Sequence, residues 1–275
     1  MAESRSKPTL SRRKFLLAGA AAGLSVAAMG DIGSRDVVIE RRTLTLPKWD
    51  AKGFKIALLA DLHLRDQVAA DRARHAHELA VAEKPDLIIN VGDFVSKFQP
   101  MHRAFIKHAL EPLHDAKCPC VGILGNHDYG SQVPEIVHRA VSSVSPMNIL
   151  VNETMEVHGV SIVGMDDCLI SNPDWNVPRE RAFSRSFLSL VHEPDYVVHN
   201  PETVSLQLSG HSHGGQICLP GGHPIVTPYG SRKYVSGFYP DADVPLYVSR
   251  GIGTTGPKWR IFCPPELTIL TLQGG

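Results

Sequence analysis

Short apolar runs that stop abruptly at polar, metal-capable residues set the rhythm of this chain. Residues 54–60 run into Asp61-Leu62-His63, 86–91 into Gly92-Asp93, and 121–124 into Gly125-Asn126-His127-Asp128. Two more runs, 187–191 and 204–208, lead into His192 and into Ser209-Gly210-His211-Ser212-His213. Continuous stretches of this length, rich in Ile, Val and Leu, fit strands buried on both faces. Between them, Ala-rich stretches at about 68–83, 102–116 and 134–143 have helical spacing. The alternation predicts an α/β core with parallel strands, in which ligands gather beyond the carboxyl ends of the strands. All of the polar clusters sit there.

The C-terminal third has a different texture. Gly and Pro punctuate short strands at 246–249 and 267–272, and no long helical pattern is left. The expectation is a second, largely antiparallel sheet packed on the first, with a functional Gly/Pro-rich loop over 214–239. Trp259, Ile261 and Phe262 are expected in the core. Without a Ser/Gly linker or an internal repeat, residues 31–275 are expected to form one domain.

Residues 1–30 read differently. A polar, basic start ends in Ser11-Arg12-Arg13-Lys14-Phe15-Leu16, followed by an uncharged Ala/Gly/Leu run to Met29. As a helix that run would be about 22 Å long, short of the ~30 Å hydrocarbon core. Paired arginines before a weakly hydrophobic segment resemble a twin-arginine export signal, which carries folded proteins. The expected partner is therefore the twin-arginine export machinery, and the expected location is the periplasm or the outer side of the cytoplasmic membrane.

Composition narrows the classes. The 28 Lys+Arg cancel the 28 Asp+Glu, which leaves no surplus charge for nucleic acid, and 43% hydrophobic content excludes a disordered chain. The five cysteines are odd in number and lack C-x-x-C spacing, arguing against a disulfide framework and a structural zinc site. Histidine, at 14 residues, is the outlier.

The clusters together offer two Asp, one Asn and four or five His as donors. Oxygen and imidazole ligands suit Mn²⁺, Fe²⁺ or Zn²⁺, and there are too many for one ion. Two cations about 3.5 to 4 Å apart can hold a hydroxide between them and neutralise phosphoryl oxygens in an in-line displacement. The nine other histidines are expected on solvated helix faces and in polar loops, with His223 in the long loop.

In order and interval, Asp61-x-His63, Gly92-Asp93, Gly125-Asn126-His127-Asp128, His192 and Gly210-His211-Ser212-His213 resemble the signature of the calcineurin-like metallophosphoesterases. The resemblance implies a four-layer α/β/β/α sandwich and a phosphoester hydrolase with two divalent ions, Mn²⁺ favoured. It implies that Asp61, His63 and His213 hold one ion, that Asn126, His192 and His211 hold the other, and that Asp93 bridges both. His127 would stabilise the phosphoryl oxygens or protonate the leaving group, and Asp128 would orient its imidazole.

The stretches at 214–216, 229–234 and 248–253 resemble a bacterial branch that includes UDP-2,3-diacylglucosamine hydrolases of lipid A synthesis. That likeness implies a phosphodiester or pyrophosphate substrate, small or lipid-linked, met at a membrane surface. Such a UDP-lipid is made in the cytoplasm, so this implication and the export signal pull in opposite directions. The alternative is a catalytically silent metal-binding platform on the same fold.

Overall fold

Apolar runs that predicted doubly buried strands do form them, and they fall into two sheets. The structure, a computed structural model, describes residues 36–130, 134–180 and 184–275. The arginine pair and the apolar run after it lie outside the described residues. In chain order the first half gives β1 (Val38–Leu46), β2 (Phe54–Leu59), α1 (Gln67–Ala82), β3 (Leu87–Val91), α2 (His102–Leu110) and β4 (Cys120–Ile123). There follow α3 (Asn126–Tyr129), α4 (Pro134–Ser142), β5 (Met147–Ile149), β6 (Glu153–Val157), β7 (Val160–Gly164), α5 (Val177–Glu180) and β8 (Phe187–Leu190). The remainder is β9 (Leu206–Ser209), β10 (Cys218–Leu219), β11 (His223–Pro224), β12 (Gly237–Tyr239), β13 (Leu246–Val248) and β14 (Glu266–Gly274), with short 3₁₀ helices at Pro194–His199 and His213–Gly215.

The first sheet has the order β1-β14-β2-β3-β4-β5 and the second β12-β13-β9-β8-β7-β6. In the first, β2 to β5 are parallel as expected, while β14 inserts antiparallel to β2. The second corrects the expectation of a largely antiparallel sheet. Strands β7, β8, β9 and β13 are parallel, and only the edge strands β6 and β12 run against them. Pro228 and Gly230 therefore lie in the long crossover that parallel β9 and β13 require, while Gly221-Gly222 and Pro240 sit in the short antiparallel connections β10–β11 and β12–β13. Strands β8 and β9, expected beside β2 to β4, lie in this second sheet.

Leu58, Ile89, Val121, Ile162, Leu188 and Leu206 pack between the sheets. On the outer face of the first sheet, Ala57, Leu59 and Ile88 meet Ala70 and Ala73 of α1, Ile106 of α2 and Val137 of α4. On the outer face of the second, Val163, Phe187 and Val248 meet Val197 of a 3₁₀ helix and the loop residues Val204 and Val244. The result is the α/β/β/α layering, with a fourth layer made mostly of loops and short helices.

Helix α1 begins where the Asp66 side chain accepts the Ala69 amide, and buries a stripe of alanines against the sheet. Its His77 corrects the expectation of a solvated face. The ring is fully buried, Nδ1 donates to the Ala73 carbonyl at 2.8 Å, and burial pushes its pKa down to about 4. Trp259 and Phe262, expected in the core, are 41% and 49% exposed. Among the described residues no helix is long and apolar enough to cross a membrane.

Candidate metal centre

Strands β2, β3 and β4 of the first sheet and β8 and β9 of the second deliver the expected donors to one place beyond their carboxyl ends. The delivering loops are stitched to one another. The Asp61 amide donates to Gly92 O at 3.0 Å, His63 to Asp93 O at 3.0 Å, and Gly210 to His192 O at 3.1 Å. Asp93 Oδ1 accepts the His127 amide at 2.9 Å, and both Asp61 carboxylate oxygens accept the His211 amide across the seam between the sheets.

These loops hold strained backbone. Asp61 (φ 54°), His63 (45°), Asp93 (58°), His211 (66°) and His213 (52°) all occupy the left-handed region, where a side chain is costly. Gly92 (φ 95°) shows why the loops carry glycine. A β-carbon there would stand 2.7 Å from His192 Nδ1 and 2.8 Å from the Gly125 amide nitrogen.

The donor atoms converge. Asp93 Oδ2 lies 3.4 Å from His63 Nε2 and 3.3 Å from His192 Nε2. His63 and His213 face each other Nε2 to Nε2 at 3.0 Å, with Asp61 Oδ1 3.9 Å from His213 Nε2. On the other side His211 Nδ1 lies 3.0 Å from Asn126 Oδ1. His192 Nε2 is 4.0 Å from Asp61 Oδ1, and His127 joins His63 and Asp93 within 4.8 Å. All seven residues expected as ligands thus share one site with His127.

The outward nitrogens fix the rings. His192 Nδ1 donates to Val91 O at 2.7 Å and His211 Nε2 to Tyr229 O at 2.8 Å, while His63 Nδ1 meets Ser96 Oγ at 3.1 Å. Each anchored ring turns its other nitrogen inward, as second partners of metal-bound imidazoles do. His192 Nε2 is buried without a hydrogen-bond partner. A buried polar atom in that state calls for an occupant, and this one faces a carboxylate. The 3.0 Å between the two Nε2 atoms also suits adjacent ligands of one cation bound at about 2.0–2.1 Å. The residues present fit divalent metal.

Electrostatics agree with the fit. Burial pushes the Asp61 carboxyl up to about 7, an effect the His192 charge offsets and the Asp93 charge reinforces. Burial alone would raise Asp93 as well, but the charge of His192 and its neighbours His63 and His127 holds it well below the usual carboxylate range. Burial lowers His63 to about 3 and His211 to about 4, so both rings stay in the neutral, ligating form. At His192 burial opposes protonation, yet the Asp93 carboxylate raises its pKa well above the ordinary value. A proton there takes up charge that a cation would balance.

One expected role changes. Asp128 is fully buried and accepts the amides of Phe94, Val95 and Gly125. Nδ1 of His127 instead donates to the Ser96 carbonyl at 2.9 Å. The acid therefore braces the loops of β3 and β4, because three amides have captured its oxygens, and the ring is held by backbone.

Other residues at the site were not anticipated. Arg260, fully buried, donates to the carbonyls of Gly253, His213, Cys263, Arg250 and Gly251, tying the His213 loop to the loop that covers Asp61. Glu193, also fully buried, has its carboxyl pushed up to about 8 by burial and accepts the Cys168 amide at 3.2 Å. Its position after an apolar run and His192 was a readable signal; nothing in the sequence around Arg260 marks it.

Comparison with known proteins agrees with this geometry. The model of the calcineurin-like phosphoesterase family matches residues 54–215, from β2 through the His213 turn. The metallophosphoesterase YkuE of Bacillus subtilis is 33% identical over 229 residues, covering 80% of this chain and 79% of that protein. The phosphodiesterase YaeI of Escherichia coli is 30% identical over 286 residues, 96% of this chain and 99% of its own. The UDP-2,3-diacylglucosamine pyrophosphatase LpxG of Chlamydia trachomatis is 27% identical over 294 residues, 84% of this chain and 88% of its own. With matching loops from both sheets and a relative aligned over nearly its whole length, this chain belongs to the calcineurin-like phosphoesterases, hydrolases of phosphoester bonds.

Proposed function

We propose that the chain is a binuclear metal-dependent hydrolase of phosphodiester or pyrophosphate bonds. The observation that supports this most is the position of Asp93 Oδ2, within 3.4 Å of an imidazole from the first sheet and 3.3 Å of one from the second. One carboxylate between two ligand groups is what keeps two repelling cations at working distance. Asp61, His63 and His213 would hold one ion, Asn126, His192 and His211 the other; the mixed oxygen and imidazole donors suit Mn²⁺, Fe²⁺ or Zn²⁺, and the family resemblance puts Mn²⁺ first. When bound, two such ions supply positive charge for the phosphoryl oxygens and make water a nucleophile near neutral pH.

The chain's own residues do the rest. His127, with Nδ1–H held by the Ser96 carbonyl, exchanges a proton with the leaving group through Nε2. Asp128 keeps the loops of Asp93 and Asn126 in register. The substrate is a phosphodiester or pyrophosphate, lipid-linked forms included; UDP-2,3-diacylglucosamine, named in one relative, is such a lipid, but an exported chain would not meet that cytoplasmic compound. Residues 31–275 act as one unit, exported by the twin-arginine route to the outer side of the membrane. Export of a reporter fusion that survives Arg12→Lys with Arg13→Lys would contradict that route.

The test is a panel on metal-loaded protein comparing p-nitrophenyl phosphate, bis-p-nitrophenyl phosphate and a UDP-linked lipid. Turnover of the diester or the pyrophosphate, lost in Asp93→Ala, is expected. Full turnover in that variant would overturn the reading.

A further inference from the structure

Beside the metal centre lies an open groove of about 420 Å³ that no catalytic step above uses. It starts at the metal-centre residue His213 and its neighbour Ser212, and is walled by Ile217, Ile225, Val226, Pro228 and Pro257. Its walls are almost wholly apolar. Ile225 and Val226 stand 59% and 74% exposed at its mouth, and the neighbouring loop carries Trp259 and Phe262 at the surface. Single exposed apolar residues are ordinary, but a contiguous apolar trough with an apolar lip is not.

The groove is built, not incidental. Its floor is fixed where the Gln216 side chain donates to the carbonyls of Thr255 and Pro257 and accepts the Thr255 amide. Its far wall is pinned through Tyr229, whose carbonyl holds His211. The apolar walls thus have a fixed relation to the proposed ligands His211 and His213, and the inner end of the groove meets the candidate metal site. Lys258, beside Pro257, is exposed near the lip, but its ammonium is paired with the Asp66 carboxylate. An apolar body with a phosphoester at one end describes a phospholipid-like molecule.

We propose that this groove holds a hydrocarbon chain of the substrate, so that the protein acts on lipid phosphoesters. The proposal rests on the hydrolase reading and names the substrate class of that site. It assigns Ile225 and Val226 to substrate selection, with no part in the chemistry.

The test uses the metal-loaded full chain and a series of p-nitrophenyl n-alkyl phosphates from methyl to dodecyl. In the wild type kcat/KM rises with chain length, by up to about fourfold per methylene buried, and levels off once the groove is full. Ile225→Asp and Val226→Asp flatten that rise while leaving turnover of the methyl ester unchanged. A second readout needs no turnover: affinity of the matching n-alkyl phosphonates, measured calorimetrically, climbs with chain length in the wild type and stays flat in the variants. Turnover of the methyl ester with no dependence on chain length in either readout would overturn the groove assignment and leave the hydrolase reading standing. Phosphonate affinity that climbs without hydrolysis of any ester would uphold the groove and sink the hydrolase reading. Self-association abolished by Val226→Asp, with no chain-length dependence, would assign the groove to a second copy and also overturn the proposal.

Discussion

The two ends of α1 and its sheet live under opposite rules. Where the helix packs on β2, the chain is relaxed, apolar and helical, and its one buried titratable ring, His77, is kept neutral. Where β2 ends, the backbone turns left-handed at Asp61 and His63, and charged and neutral groups are crowded out of water together. The first region gains stability from burial. The second holds strain and unbalanced charge, which only the neighbouring loops, and a cation, make tolerable.

The largest break in that contrast is expected from Asp93→Asn. It removes the charge shared by the two ligand groups and should cost about a thousandfold or more in kcat on bis-p-nitrophenyl phosphate. The helix layer should be untouched, so far-UV circular dichroism should match the wild type.

Next in size is glycine. Gly92→Ala adds a carbon against His192 and strains a φ of 95°, and should destabilise metal-free protein by about 4 kcal/mol in urea unfolding. Gly159 in the β6–β7 turn also has positive φ, 79°, but nothing lies within 4 Å of its missing β-carbon. Gly159→Ala should cost only about 1 kcal/mol, and equal costs at the two positions would erase the distinction between a crowded site and a simple turn.

Titration sharpens the contrast further, because the regions respond to pH in opposite directions. His77 has a folded pKa near 4 against an ordinary 6.5, so the unfolded chain binds more protons between those values. Its contribution is complete above pH 6.5 and is lost as pH falls toward 4, about 3 kcal/mol that should disappear from the pH dependence in His77→Leu. Asp61 in the metal-free protein has its pKa raised from 3.8 to about 7, so here the folded chain binds the extra proton. That contribution is complete below 3.8 and is lost as pH rises through 7. Divalent metal, which takes the proton's place, should therefore raise Tm more at pH 8 than at pH 5. A metal-induced rise in Tm that is the same at both pH values would contradict the assignment of Asp61.

Much of this was legible in the sequence, and unevenly. The clusters after apolar runs marked the residues that converge on the candidate site, because a polar stop after a buried strand is a local pattern that needs no knowledge of sheet order. Parallel β2 to β4 were legible because helices separate them. The second sheet was misread because its crossovers are loops and 3₁₀ turns whose Gly and Pro look like hairpin punctuation, although β7, β8, β9 and β13 are parallel. Asp128 was misassigned because three backbone amides from two loops compete for it, a contact no spacing reveals. Arg260 was invisible for the same reason, its partners being carbonyls from distant loops.

Counting metal on the purified, metal-loaded chain by mass spectrometry tests the central claim most directly, that ligands from both sheets hold two ions about one carboxylate. Two ions per chain in the wild type, with at least one lost together with activity in Asp93→Asn, is the expected result. A single ion per chain at full turnover, or two ions retained in the inactive variant, would contradict it.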